Sequence, residues 1–140
     1  MKEYEINKER SSMKVRLAVA LFLVVGLSYA FGIYQSPDPD QLQIEQLAKS
    51  GIDMSKPQQI DFTLHFSDAH SEANACVSIY EKKFDVVSIR PEKADEKWTC
   101  IAHKTMLPEL KVLRKIRKDF EAIAAKNKGS YDGWNIQQGK

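Results

Sequence analysis

The sequence predicts an α+β fold, a split β-α-β-β-α-β sandwich with two helices covering one face of an antiparallel sheet. Ile60, Phe62, Leu64 and Phe66 alternate with Asp61, Thr63 and His65, while Trp98, Cys100 and Ala102 alternate with Thr99, Ile101 and His103. A period of two is the mark of a strand with one buried face. Leu110, Leu113, Ile116, Phe120 and Ile123 recur every three or four residues, the spacing that lines one side of a helix. The order in which these patterns occur fixes the topology.

In chain order, residues 1–16 form a basic N-terminal segment with five Lys/Arg and three Glu. Leu17 to Tyr34 follows, 18 residues without a charge. At roughly 1.5 Å per residue such a helix just crosses a hydrocarbon layer about 30 Å thick. Residues 17–34 are therefore read as a single-pass anchor in a lipid bilayer. Lys and Arg precede it and Asp38 and Asp40 follow, so the positive-inside rule keeps the N-terminus cytoplasmic and favours an extracytoplasmic domain. The rival reading is a secretory signal, with Leu17–Leu27 as its apolar core and Ser28-Tyr29-Ala30 as a small-x-small cleavage site. The apolar run continues past Ala30, which favours the anchor.

Residues 35–58 read as a spacer and a short helix. Gln35 to Asp40 is polar and stiffened by Pro37 and Pro39, and Leu42, Ile44 and Leu47 mark a helix stopped at Gly51. The folded domain is expected over 59–140. Its first strand ends near Phe66, and Ser67 or Asp68 caps a helix whose inward stripe reads as Ala69, Ala73, Cys76, Val77 and Tyr80. Asp85 to Arg90 is a second strand ended by Pro91, and a charged connection leads to the third. Pro108 suits the first position of the second helix, Asn127 and Gly129 stop it, and Trp134-Asn135-Ile136 forms a short fourth strand.

A net charge of +2, with 14 basic and 12 acidic residues in 59–140, gives no basic surface of the kind nucleic-acid modules present. Direct contact with nucleic acid is not expected. The sequence offers no Ser/His/Asp set, phosphate loop or convergent carboxylate pair, so the domain reads as non-enzymatic and without a cofactor. His65 and His103 share a sheet face, but two imidazoles fall short of the three or four ligands zinc takes, and no metal site is assigned. Asp61, Thr63, His65, Ile101 and His103 lie on the sheet face away from the helices and are candidates for contact with a partner. Cys76 and Cys100 sit on inward stripes and could come within the roughly 4.4–6.8 Å Cα spacing of a disulfide; two buried thiols are the other reading. Tyr131-Asp132-Gly133-Trp134 reads either as a structural turn, with Gly133 in a glycine-only conformation and Trp134 filling the core, or as exposed aromatic anchors for a partner. Lys111, Arg114, Lys115, Arg117 and Lys118 read as a solvated basic helix face.

Leu47 through Lys56-Pro57, the Ile60–Phe66 strand, Trp98 with Lys104-Thr105-Met106-Leu107-Pro108, and Tyr131-Asp132-Gly133-Trp134 together resemble the RraB family, the ribonuclease E inhibitors or regulators of ribonuclease activity B. The resemblance covers roughly residues 42–136. It implies a ferredoxin-like α/β sandwich, no catalytic machinery, and regulation by binding a protein partner, a ribonuclease of the E type. The expected function is thus a membrane-tethered regulatory protein-binding domain. The alternative is an extracytoplasmic structural or binding protein of the same fold with no nuclease partner.

Overall fold

The computed structural model describes residues 36–137. The apolar segment 17–34 lies outside the described residues, and among those described no helix is long and apolar enough to cross a membrane. The elements are α1 (Pro39–Lys49), β1 (Gln58–Phe66), α2 (Ala69–Glu81), β2 (Asp85–Ile89), β3 (Trp98–Met106), α3 (Leu110–Lys126) and β4 (Ser130–Ile136). The four strands make one sheet in the order β2-β3-β1-β4, every neighbour antiparallel. This is the split β-α-β-β-α-β order with one extra helix at its start.

The alternation read from the sequence explains the layers. Ile60, Phe62, Leu64 and Phe66 of β1, Cys100 and Ala102 of β3, and Trp134 and Ile136 of β4 are all buried. They meet Ala75, Cys76 and Ile79 of α2 and Leu113, Phe120 and Ala124 of α3 in one core cluster, with Trp98 and Ile116 packed against it. Phe62 and Phe120 meet edge-on at 5.5 Å between centroids, and Phe84 closes the trio at 5.7 and 5.0 Å, the geometry aromatic quadrupoles favour.

Four details differ from expectation. Asp38-Pro39-Asp40 is the start of α1 rather than a spacer: Asp38 Oδ1 accepts from Asp40 and Gln41 N–H, and Pro39 takes the first helical position. With Leu47 in the core, α1 belongs to the folded unit. The inward face of α2 is Glu72, Ala75, Cys76 and Ile79, while Val77 and Tyr80 point to solvent at 58% and 64% exposure. The expected stripe of Ala69, Ala73, Cys76, Val77 and Tyr80 is rotated because the charged Glu72 goes inside. Helix α3 starts after Glu109, two residues beyond the expected Pro108. Strand β4 begins at Ser130, so the Tyr131–Trp134 segment lies inside a strand and not in a turn.

The exit from α3 is a Schellman closure: Gly129 N–H donates to Ala124 O at 2.8 Å and Lys128 N–H to Ala125 O at 3.2 Å, with Lys128 left-handed at φ 55°. Gly129 is required by close approach. A Cβ there would fall on the Phe66 ring and 2.5 Å from the His65 carbonyl oxygen, and that backbone cannot yield. Gly129→Ala is expected to cost about 2–3 kcal/mol, the upper range of overpacking, seen as a lower urea midpoint.

Candidate functional site

Two arrangements on this scaffold carry chemistry: the sheet face left bare by the helices, and a buried polar junction where α1 docks.

The bare face is organised in rows by strand register. Across the middle run Val87, Ile101, Thr63 and Gly133. One flanking row holds Asp85, His103, Asp61 and Asn135; the other holds Ile89, Thr99, His65 and Ser130. A row of apolar and small groups thus lies between two largely polar ones. Val87 and Ile89 are exposed at 48% and 45%. The face carries Asp61, Thr63, His65, Ile101 and His103, all half-buried.

The polar rows are wired rather than loose. His103 Nδ1–H donates to Asp61 Oδ1 at 2.6 Å, and Gln137 Nε2 donates to Asp61 Oδ2 at 2.6 Å. His65 Nδ1 is 3.0 Å from the Thr99 hydroxyl, and its Nε2 is 3.5 Å from Asp132 Oδ2. The two histidines are four residues apart in register, since His103 pairs with Asp61 and His65 with Thr99. At about 3.4 Å per residue they cannot share a metal ion. Thr99, His65 and Asp132 fall in the order hydroxyl, imidazole, carboxylate. The Asp132 side chain is 70% exposed, however, and an activated nucleophile needs its imidazole fixed by a buried third group. The arrangement suits recognition better than nucleophilic catalysis.

The Tyr131–Trp134 segment is placed by a β-bulge. Thr63 pairs with Gly133 and Leu64 with Tyr131, leaving Asp132 as the extra residue. Gly133 takes φ 110°, a value that strains any residue with a Cβ. Among the described residues Asp132 forms no turn hydrogen bond, and it projects toward His65. Trp134 is buried, which removes it as an exposed anchor, and its Nε1–H donates to Asp40 Oδ1 at 3.0 Å.

That bond opens the second arrangement, which the sequence reading missed. Asp40, 2% exposed, also accepts from Arg117 Nε at 2.7 Å. Arg117 Nη2 and Arg114 Nε reach Asp38 Oδ2 at 3.3 and 2.9 Å. Gln43 Nε2 donates to Trp134 O at 3.3 Å. The expected basic face of α3 is therefore divided: Lys111, Lys115 and Lys118 are exposed, while Arg114 and Arg117 clasp α1. Partial desolvation pushes the Asp38 carboxyl up, but hydrogen bonds from Gln41 N–H and Arg114 outweigh it and hold the group below the usual carboxylate range.

Tyr131 borders this junction with its hydroxyl buried and, among the described residues, without a hydrogen-bond partner. Burial, followed by the charges of Asp40 and Glu121, pushes its pKa above the ordinary value of 10.0. The folded state therefore keeps the phenol proton where the unfolded chain releases it, and stability is lost as pH rises past about 10. Tyr131→Phe is expected to be neutral or up to about 1 kcal/mol stabilising at pH 7. Compared with that variant, the wild type should lose as much as about 1.4 kcal/mol more per pH unit above pH 10. Urea titrations across that range read the difference.

On the remaining side of the core, Cys76 Sγ is bonded to Cys100 Sγ, with Cα atoms 6.0 Å apart. The bridge ties α2 to β3 and leaves no free cysteine among the described residues.

The family model for regulator of ribonuclease activity B matches residues 38–136, from the cap of α1 to the end of β4. The chain belongs to this family. The match starts at the α1 cap, so the helix clasped by Arg114 and Arg117 is part of the RraB unit. No curated protein matches the chain. The family is described as regulators of ribonuclease activity.

Proposed function

We propose that this RraB domain binds a ribonuclease of the E type through its bare sheet face and is held at a membrane by residues 17–34. The observation that carries the surface assignment is the row Val87–Ile101–Thr63–Gly133, apolar or small, set between polar rows. A dry centre with a polar rim is the common anatomy of a protein interface. His103–Asp61 and His65–Thr99 are pre-positioned by neighbouring strands, which lowers the ordering cost of using them in recognition.

The test is a titration of purified full-length chain into an E-type ribonuclease. Val87→Lys with Ile89→Lys is expected to weaken binding by about tenfold or more, with an unchanged unfolding midpoint because both side chains are already exposed. Unchanged affinity would move the site off this face. Wild-type chain that does not bind would remove the ribonuclease as partner.

A second reading is favoured by one observation, the bridge between Cys76 and Cys100. Disulfides persist in oxidising compartments and are rare in the cytoplasm. Together with the basic segment before residue 17, this supports an extracytoplasmic domain whose partner is an envelope protein instead of a nuclease. A reporter fused after Lys140 separates the readings by its side of activity.

A further inference from the structure

Glu72 sits one helical turn before Cys76 on the inward face of α2 and is 3% exposed. Its Oε1 lies 3.2 Å from Cys76 Sγ. A disulfide sulfur carries no hydrogen, so in the bridged state this contact is not a hydrogen bond. Among the described residues, no N–H or O–H donor and no cation reaches either carboxylate oxygen. A carboxylate on a residue so deeply buried is costly when an oxygen has no donor, and Oε1 is aimed at a pair of sulfurs. Glu72, Cys76 and Cys100 bring one oxygen and two sulfurs within 4.8 Å of one another, all three residues buried.

We infer that these residues form a redox-gated site for a thiophilic divalent cation of the zinc class, closed when the cysteines are bridged and open when they are reduced. The inference does not depend on the ribonuclease reading. The chemistry balances simply. A dithiol reductant gives two electrons and two protons, becoming a disulfide while the Cys76–Cys100 bond becomes two thiols. Binding M²⁺ then displaces both thiol protons to solvent and forms two metal–thiolate bonds and one metal–carboxylate bond.

The geometry allows it. Zinc–sulfur bonds are about 2.3 Å and zinc–carboxylate bonds about 2.0–2.2 Å. At tetrahedral angles two such sulfurs stand about 3.8 Å apart, a spacing that Cα atoms 6.0 Å apart reach by side-chain rotation. The i, i+4 spacing of Glu72 and Cys76 places both ligands on one side of α2, and Cys100 faces them from a central strand. The fourth position falls to the second carboxylate oxygen or to water. Two thiolates select against magnesium and calcium, which prefer all-oxygen sites. The cation would also give Glu72 a positive partner that no described residue supplies.

The experiment uses the full-length chain, reduced with a phosphine that is then removed, and titrated with Co²⁺ alone. One equivalent should produce thiolate-to-cobalt charge-transfer absorption, displaced by one equivalent of Zn²⁺ and absent from the oxidised chain. His65 and His103 cannot produce that band. Glu72→Gln should raise the Co²⁺ Kd by about tenfold or more, since even outer partners of metal ligands are worth about 10–100-fold. Cys100→Ser should abolish the band. Zn²⁺ should also slow alkylation of both thiols in the reduced wild type. Should reduction unfold the chain, Zn²⁺ must restore its far-ultraviolet circular dichroism, because binding and folding are then one equilibrium. No band together with no thiol protection or refolding overturns the site, and an unchanged Kd in Glu72→Gln removes the carboxylate from it.

Discussion

Asp40→Ala is expected to lower the unfolding free energy by about 3 kcal/mol, as a shift of the urea midpoint at constant m. Truncating one partner of a buried ion pair costs about 3–5 kcal/mol, because the charge left behind has been desolvated and is no longer matched. The lower figure applies because Arg117 is 22% exposed and keeps Asp38 and Glu121 within 3.3 and 3.8 Å. Trp134 Nε1–H, buried in the same junction, loses its acceptor among the described residues. Trp134→Phe, which removes the donor and leaves the ion pair, should cost about 1–3 kcal/mol, since Asp40 Oδ1 loses a buried donor and the indole leaves a gap. The pair Asp40→Leu with Arg117→Met should be less destabilised than Asp40→Ala alone, since removing both charges together leaves neither unmatched. A loss below about 1 kcal/mol in Asp40→Ala would mean that the junction behaves as a surface pair and that α1 is held by Leu47 and Ile44 instead.

The parts of this molecule that follow hydrophobic period were legible from residues alone. Ile60, Phe62, Leu64 and Phe66 could point only one way once their neighbours were Asp61, Thr63 and His65. The side chains of the bare face follow from the same alternation. What escaped were carboxylates that go inside. Asp40 stands in a Pro- and Asp-rich stretch that reads as a spacer, and Glu72 stands where an amphipathic helix should turn outward. A local pattern treats charge as solvent-seeking. Whether burial is tolerated depends on a partner 77 residues away in the case of Asp40 and Arg117, and no periodicity contains that distance. The same limit explains the divided basic face of α3: spacing put Arg114 and Arg117 beside Lys111 and Lys118, but only the position of α1 shows that the arginines have partners. Arginine suits that role, since its planar fork can bind two carboxylates at once.

Breaking the Cys76–Cys100 bridge is the second change of large effect, and it is expected to cost about 3 kcal/mol. The sequence separation is 24 residues, and closing a loop of that size removes denatured-chain entropy worth about 3 kcal/mol. Reduction by a phosphine, which deletes no atoms from the core, measures this directly. Cys100→Ala should cost more, because Cys100 is fully buried and a cavity replaces its sulfur. Alkylation of the native, unreduced chain comes first: two modified thiols would show that no bridge is present. The slope of the denaturation curve then separates two physical accounts. If the bridge works on the unfolded ensemble, its loss lets that ensemble expand, exposes more surface on unfolding and raises m. If it works by holding α2 against β3 in the native state, reduction shifts the midpoint and leaves m unchanged. The long-range β1–β3 and β1–β4 pairings already fix the sheet without the bridge, so the first account is expected. A rise in m of the reduced chain, with native near-ultraviolet circular dichroism retained before the transition, is its signature.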